Sequence, residues 1–276
     1  MPNASELAIG PIFIGFFFNV LLYGVMLSQI YIYFTMFYCD KAWLKTFVLV
    51  ILALDTLNTA FDFAYLYRVL ISNFGNTSVL ARADWIFATD PVLTALIACC
   101  VQLFYAWRVQ LLSRKLWLVI LVVVCALAGL AGGLATTIEV VKLPHFKDFQ
   151  YFKAAVIVWL AAECVADILI TTILVKHLKS HKTGFKGSDI LIDQVIRLTI
   201  QTGLLTSLCA TVDLILYLAD PVALHLIFNI PLCKLYSNSL MSSLNSRREW
   251  ATGAANDSGI FSQIILVRVL YVLVPL

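Results

Sequence analysis

Apolar residues occupy this chain in long continuous blocks. Seven blocks are long enough to cross about 30 Å of hydrocarbon as α-helices, which takes roughly 20 residues each. They cover residues 9–35, 43–70, 86–111, 116–140, 153–176, 192–218 and 221–243. Strands that cross a membrane alternate apolar and polar positions, and these blocks do not. The pattern therefore predicts an all-α membrane protein built as a bundle of seven transmembrane helices.

The overall composition supports this prediction. Hydrophobic residues make up 62% of the 276 residues, charged residues make up 13%, and the mean hydropathy is +0.93. A soluble globular protein is about half apolar and about a quarter charged. We therefore expect residues 1–248 to form one transmembrane domain. The segment 249–276 is expected to be a tail, either poorly ordered or lying at the membrane interface.

Lysine and arginine residues are unevenly divided between the two sets of connections. The richer set holds eleven: Lys41, Lys45, Arg108, Arg114, Lys115, Lys176, Lys179, Lys182, Lys186, Arg247 and Arg248. The poorer set holds five: Arg68, Arg82, Lys142, Lys147 and Lys153. The positive-inside rule places the richer set in the cytoplasm, with the N-terminus outside and the C-terminus cytoplasmic. The net charge of +3 then reflects topology, and no nucleic-acid partner is expected.

The longest inner connection, residues 176–189, is basic. It carries Lys176, Lys179, Lys182 and Lys186. This loop is expected to contact anionic lipid headgroups or a cytosolic partner, although the positive-inside rule alone also explains its charge. On the opposite side, Asn3 and Asn76 each begin a glycosylation sequon, Asn-Ala-Ser and Asn-Thr-Ser. The membrane itself, either plasma membrane or endomembrane, is not specified by the sequence.

Polar side chains interrupt the apolar blocks at helical spacing. Asp55, Asn58 and Asp62 are three, four and seven residues apart, so a helix places them on one face. A charge at the centre of a membrane helix costs about 2.5–3.5 kcal/mol on an insertion scale. Such residues must therefore face one another or a watered interior. The candidate polar interior comprises Asp55, Asn58, Asp62, Gln102, Glu163, Asp167, Arg197, Lys234 and Asn238.

Helix direction gives each of these residues an approximate depth. Asp55, Glu163 and Lys234 all fall near the middle of the bilayer, so Lys234 is the expected partner of one of the carboxylates. Arg197 is expected to meet Asp193 or Asp167. A polar pocket, a proton path or an ion path would explain such a cluster. Interhelical hydrogen bonds that only fix the packing register would explain it as well.

Small residues in the fourth block predict close helix packing. Gly129 and Gly133 form a GxxxG pattern, which lets helix backbones approach each other. The partner is either another helix of the bundle or a second copy of the chain. The oligomeric state is left open.

Three functions remain open. The first is a receptor-like or sensory protein whose polar interior takes a small ligand. The second is a transporter or channel for a small solute or protons, and the third is a non-catalytic accessory membrane protein. An enzyme is not expected, because the sequence shows no nucleophile–base pair, metal-ligand set or phosphate loop. No metal or cofactor is expected either.

Several segments resemble one family of multi-span membrane proteins from mushroom-forming fungi, which carry the C-terminal domain of unknown function 6534. The resemblance covers nearly residues 7–248, with the C-terminal domain at about 164–248. It is carried by LYGVMLSQIYIYF, ILALDTLNTAF, LFYAWRVQLLSR, the stretch from ADILITTILVKHLKSHKTGF to LTSLCA, and PLCKLYSNSLMSSLNSR. It implies a fold, a membrane location and a fungal (basidiomycete) source, and no activity. Asp55, Arg108, Asp167, Arg197, Lys234 and Asn238 stand in the matching segments.

Overall fold

The computed structural model describes residues 4–74, 83–113, 115–144, 149, 151–180, 186–219 and 223–246. Within these ranges the regular secondary structure is helical, with seven α-helices joined by turns and short connections. They are α1 Ala4–Met36, α2 Ala42–Tyr67, α3 Thr89–Ser113, α4 Leu116–Lys142, α5 Lys153–Ser180, α6 Lys186–Ala219 and α7 Leu226–Asn245. A π-helical turn, Arg68–Ser72, extends α2, and a 3-10 turn, Ala223–His225, precedes α7.

The helices match the seven predicted blocks closely, with one correction. The predicted basic loop 176–189 is largely helical, because α5 continues to Ser180 and α6 already begins at Lys186. Lys176 and Lys179 therefore lie on the last turns of α5. Leu174 and Leu178, four residues apart, are both buried, so the packing face of α5 continues past the predicted end of the span.

Six of the seven helices, α1 to α6, are long and apolar enough to cross a membrane. The seventh, α7, has 20 residues and would also span about 30 Å. It is more polar than the others because it carries Asn229, Lys234, Asn238 and several serines. The structure thus supports a multi-pass membrane protein, and the seventh span and the orientation of the bundle remain predictions.

Large apolar side chains cover the outside of the bundle. Phe17, Leu57, Ile120, Ile168 and Leu208, on five different helices, are each about half exposed. Exposure of so much apolar surface to water is unfavourable, whereas its contact with lipid tails is favourable. The buried positions, in contrast, include many polar and charged groups. The bundle is therefore apolar outside and partly polar inside.

The helices pack around α3, which is the most buried of the candidate spans. It contacts α2, α4, α5 and α7, whereas α1 packs mainly on α7, and α5 lies between α4 and α6. This arrangement brings residues from α2, α3, α5, α6 and α7 to the centre. Every residue of the candidate site described below comes from these helices or from α1.

The glycines of α4 are used inside the bundle. A Cβ at Gly133 would collide with the Cβ of Ala95 on α3, and one at Gly129 would lie 3.1 Å from Cγ of Glu163 on α5. Between them, a Cβ at Gly132 would lie 2.6 Å from the backbone nitrogen of Trp159. The small residues thus let α4 approach α3 and α5 closely.

Some predictions fall outside the described residues. These are the two sequons at Asn3 and Asn76, Lys182, and the tail 249–276. Lys186 begins α6, but its side chain is also outside the description.

Candidate functional site

A buried ion pair joins α2 to α7. The ammonium group of Lys234 donates to Oδ1 of Asp55 at 3.0 Å and to the Asp55 carbonyl oxygen at 2.9 Å. Both side chains are 0% exposed. An ion pair removed from water needs such additional hydrogen bonds, because the desolvation of two charges is costly. The prediction that Lys234 pairs with a mid-membrane carboxylate is consistent with this contact, and the partner is Asp55.

Asn58 connects this pair to two further helices. Its Oδ1 accepts from Lys234 at 2.8 Å, and its Nδ2 donates to Oδ1 of Asp90 on α3 at 2.9 Å. Asn19 of α1 donates to Oδ1 of Asn58 at 3.2 Å and to Oδ2 of Asp62 at 3.1 Å. One polar cluster therefore links α1, α2, α3 and α7. Three of its members are the Asp55, Asn58 and Asp62 face that the sequence spacing predicted.

A second polar cluster surrounds Asp167 of α5. Its Oδ1 accepts from Nε2 of Gln102 at 2.9 Å, and its Oδ2 accepts from the hydroxyls of Thr206 at 2.5 Å and Tyr236 at 3.1 Å. The partners belong to α3, α6 and α7. Asp167 is thus bonded by neutral donors from three helices, and no ion pair of Asp167 occurs within the part of the chain that the structure describes.

Two more buried carboxyl groups lie near these clusters. Oε1 of Glu163 accepts from the indole nitrogen of Trp159 at 2.7 Å, and Oδ2 of Asp213 accepts from Nδ2 of Asn229 at 2.7 Å. The second oxygen of each group has no hydrogen-bond partner among the described residues, and the same holds for Oδ2 of Asp55. A carboxyl oxygen in this position can hold a proton or accept from an entering water molecule.

Five of the carboxyl groups are coupled in series by charge repulsion. Asp62 interacts electrostatically with Asp90, Asp90 with Asp213, Asp213 with Glu163, and Glu163 with Asp167. We refer to these five residues as the carboxyl ladder. Asp90 and Gln102, the α3 residue bonded to Asp167, are twelve positions apart, or about 18 Å along the helix axis. The ladder therefore extends through more than half of the thickness of a hydrocarbon layer.

Polar contacts continue beyond Asp167 toward the end of α3. The hydroxyl of Tyr105 donates to the Ser239 carbonyl at 3.2 Å, and Nη1 of Arg108 contacts Oγ of Ser243 at 2.5 Å. Arg108 is six positions beyond Gln102, which adds about 9 Å along the axis. The polar interior thus reaches close to both ends of the bundle.

Acidic groups outnumber basic groups in this interior. The buried carboxyls are Asp55, Asp90, Glu163, Asp167 and Asp213, and the buried cations within the described ranges are Lys234 and Arg108. Unpaired carboxylates cannot be kept in a dry interior at acceptable cost. The remaining negative charge must be balanced by protons or by small cations.

The predicted site residues divide into three groups. Asp55, Asn58, Asp62 and Lys234 come together in the first cluster, and Gln102, Glu163 and Asp167 lie at the second. Asn238 is only half-buried, and its Nδ2 donates to the Leu22 carbonyl of α1 at 3.0 Å and to the Lys234 carbonyl, one turn earlier on α7, at 2.7 Å. It therefore acts as a contact between α1 and α7.

The placement of Arg197 in the polar interior is wrong. Its side chain is exposed, and Asp167, one of its two expected partners, is bonded by Gln102, Thr206 and Tyr236 instead. Asp193, the other expected partner, is exposed as well. Because α6 begins at Lys186, Arg197 lies only about 16 Å from the start of the helix. A long cationic side chain at this depth can reach the polar boundary.

The charged and amide residues of the site that lie outside the predicted set include Asn19, Asp90 and Asp213. Each is a polar residue within an apolar block. Asn19 and Asp213 carry the same signal as Gln102, a polar group in the middle of a span. Asp90 lies close to a block end, where an exposed carboxylate is normal, so only its contact with Asn58 identifies it.

Part of this site lies in a segment that matches a known protein family. The model of a family of unknown function (DUF6534) matches residues 163–249, about a third of the chain. This match supports the C-terminal domain that the sequence resembled, whereas the fungal source stays a prediction. The matched segment includes Glu163, Asp167, Asp213 and Lys234. No curated protein and no solved structure matches the chain.

Proposed function

We propose that this chain is a seven-span integral membrane protein that passes protons through its polar interior along the carboxyl ladder. The observation that carries the proposal is the excess of buried carboxyl groups, each within electrostatic reach of the next. Ionisable residues at membrane depth characteristically mark proton relays and ion pathways. Two of its members, Glu163 and Asp213, each have an oxygen without a partner among the described residues, and such an oxygen can exchange a proton with a neighbouring group or with water.

The proposed orientation follows the distribution of lysine and arginine. With the N-terminus outside, Asp62 and Asp90 lie at the outer end of the ladder and Asp167 lies on the inner side. Tyr105, Arg108 and Ser243 then continue the polar path toward the cytoplasm. The seventh span in this arrangement is α7, which contributes Lys234 and Tyr236. The location in a plasma membrane or an endomembrane is part of the same proposal.

Proton flux into liposomes tests the proposal. The chain is reconstituted into liposomes that contain a trapped pH-sensitive dye, and a potassium gradient with valinomycin makes the interior negative. We expect faster acidification than in protein-free liposomes. Replacement of Glu163 by Gln should abolish this flux, because an amide can neither release nor take up a proton at this position.

A matched variant controls for the loss of a carboxylate elsewhere. Glu139 lies near the end of α4 and pairs with Lys142 at 2.8 Å on the surface. Glu139→Gln should leave the flux unchanged. Wild-type flux equal to that of empty liposomes would contradict the proposal, and so would full flux in Glu163→Gln.

A receptor-like role is the second candidate. It is favoured by the last turns of α5, on which the side chains of Lys176 and Lys179 are exposed. Such a surface suits an anionic lipid or an acidic cytosolic partner. A receptor predicts that Lys176→Gln/Lys179→Gln disrupts a cytosolic complex while the interior is unchanged. If neither flux nor a partner is found, the third candidate, an accessory membrane protein, is favoured.

A further inference from the structure

A small cavity opens between α3, α5, α6 and α7, beside Asp167. Its volume is about 20 Å³ by the measure in which one water molecule needs about 10–15 Å³. Polar groups that line it include Gln102, Asp167, Thr202, Thr206 and Tyr236. The space admits a water molecule or a bare monovalent ion and is too small for an organic ligand.

Four of the hydroxyl groups at this cavity, those of Thr199, Thr202, Thr206 and Tyr236, donate their protons to other groups. Thr199 and Thr202 donate to the carbonyls of Val195 and Leu198 at 2.8 and 2.9 Å. Thr206 and Tyr236 donate to Asp167, as described above. A hydroxyl that donates elsewhere can offer only its oxygen lone pairs to the cavity. These four residues therefore offer acceptor oxygens to the cavity.

The side chain of Gln102 adds an independent observation. It is 1% exposed and lines the cavity, and its Oε1 has no hydrogen-bond partner among the described residues. Its amide nitrogen is fixed by Asp167 and by the Glu163 carbonyl at 3.2 Å, so the amide cannot rotate to offer a donor instead. A buried acceptor without a partner costs free energy that a bound cation would recover.

We propose that this cavity is a binding site for one small monovalent cation, such as Na⁺, held by the carboxylate of Asp167, Oε1 of Gln102 and the hydroxyl oxygens of Thr202 and Thr206. Hard cations of this kind are bound by oxygen ligands. Asp167 supplies the single negative charge that a monovalent ion requires. The four residues come from α3, α5 and α6, so a bound ion would tie these helices together. The site does not depend on whether the carboxyl ladder conducts protons.

Thermal stability in defined salts tests this site. The purified chain in detergent is melted in choline chloride, which cannot enter the cavity. Choline is then replaced by Na⁺, K⁺, Li⁺ or NH₄⁺ at constant ionic strength and pH. We expect at least one of these ions to raise the Tm saturably, since a ligand that binds only the folded state stabilises it. The four salts show which ion the site prefers.

Two threonines of α6 give a matched pair of variants. Thr202 lines the cavity, and its hydroxyl donates to the carbonyl of Leu198, four residues earlier. The hydroxyl of Thr211 likewise donates to the carbonyl of Ser207, four residues earlier, at 2.7 Å, but Thr211 does not line the cavity. Thr202→Val should raise the half-saturating ion concentration about tenfold, the effect of losing one ligand of a charged group. Thr211→Val should leave it unchanged.

Binding of radioactive sodium to the wild-type chain is measured as well, because this result does not depend on whether a variant folds. We expect saturable binding of about one ion per chain, displaced by the other preferred cations. Equal Tm values in choline and in all four salts, together with no sodium binding, would overturn the proposal and assign the cavity to water. Cation binding without proton flux would leave this site intact and contradict only the proposed function.

Discussion

The pair between Lys234 and Asp55 provides the most informative test of how the interior is held together. At an N–O distance of 3.0 Å and an effective dielectric constant of about 20, the Coulomb attraction is about 5.5 kcal/mol. Removal of one partner of a buried pair typically costs about 3–5 kcal/mol, because the other charge is left without compensation. We therefore expect Lys234→Met to lower the free energy of unfolding by about 3–5 kcal/mol.

The double variant separates the ion pair from simple packing. Replacement of a whole buried pair by apolar residues is often nearly neutral, so Asp55→Leu/Lys234→Met should be more stable than the sum of the two single variants. We expect an interaction free energy of about 2–3 kcal/mol from the cycle. The assay is SDS-induced unfolding in mixed micelles, followed by tryptophan fluorescence.

An exposed pair provides the control for this cycle. Glu139 and Lys142 are also in contact at 2.8 Å, but their side chains are 34% and 61% exposed. Their cycle should give less than about 1 kcal/mol. If the two single variants at Asp55 and Lys234 were additive, the buried pair would not hold α2 against α7, and the reasoning would be refuted.

Three further predictions follow. Gly132→Ala should destabilise the bundle by about 1–3 kcal/mol in the same assay, because its Cβ would collide with the Trp159 backbone. Gly24 has open space around it, so Gly24→Ala should have no such effect. Equal effects of the two variants would refute the close approach of α4 to α5. Arg197→Gln should change the free energy of unfolding by less than about 0.5 kcal/mol because the side chain is exposed. A loss as large as that of Lys234→Met would show that Arg197 lies in the polar interior after all. With the N-terminal side extracellular, Asn3→Gln/Asn76→Gln should abolish a glycosidase-sensitive mass shift on gels. Modification of a sequon engineered into the 176–189 connection would instead show that this connection is extracellular and would contradict the orientation.

The helices could be predicted from the sequence because the requirement of the membrane is severe. Every backbone polar group in lipid must be bonded within its own segment, so continuous apolar blocks leave almost no alternative to helices. The prediction failed at the end of α5 and the start of α6. There, Lys, His and Gly residues resemble a loop in composition, yet helices that leave the hydrocarbon continue as long as one face remains packed.

The site was predictable to the extent that polarity and depth alone determine it. The spacing of Asp55, Asn58 and Asp62 defines one helix face, and the common depth of Asp55 and Lys234 indicates a pair. Which helices are neighbours depends on tertiary packing, which a single sequence does not reveal. For this reason Arg197 was expected to meet Asp193 or Asp167, whereas Asp167 is bonded by Gln102, Thr206 and Tyr236, and Asp90 was missed.

Infrared spectroscopy of the carboxyl groups tests most directly whether excess buried acids are neutralised by exchangeable protons. The reconstituted chain is transferred from H₂O to D₂O while the stretching band of protonated carboxyl groups is recorded. We predict such a band at neutral pH, a shift of the band in D₂O, and a loss of intensity in Glu163→Gln and Asp213→Asn that Glu139→Gln does not share. The absence of any exchangeable protonated carboxyl band would contradict the proposed ladder.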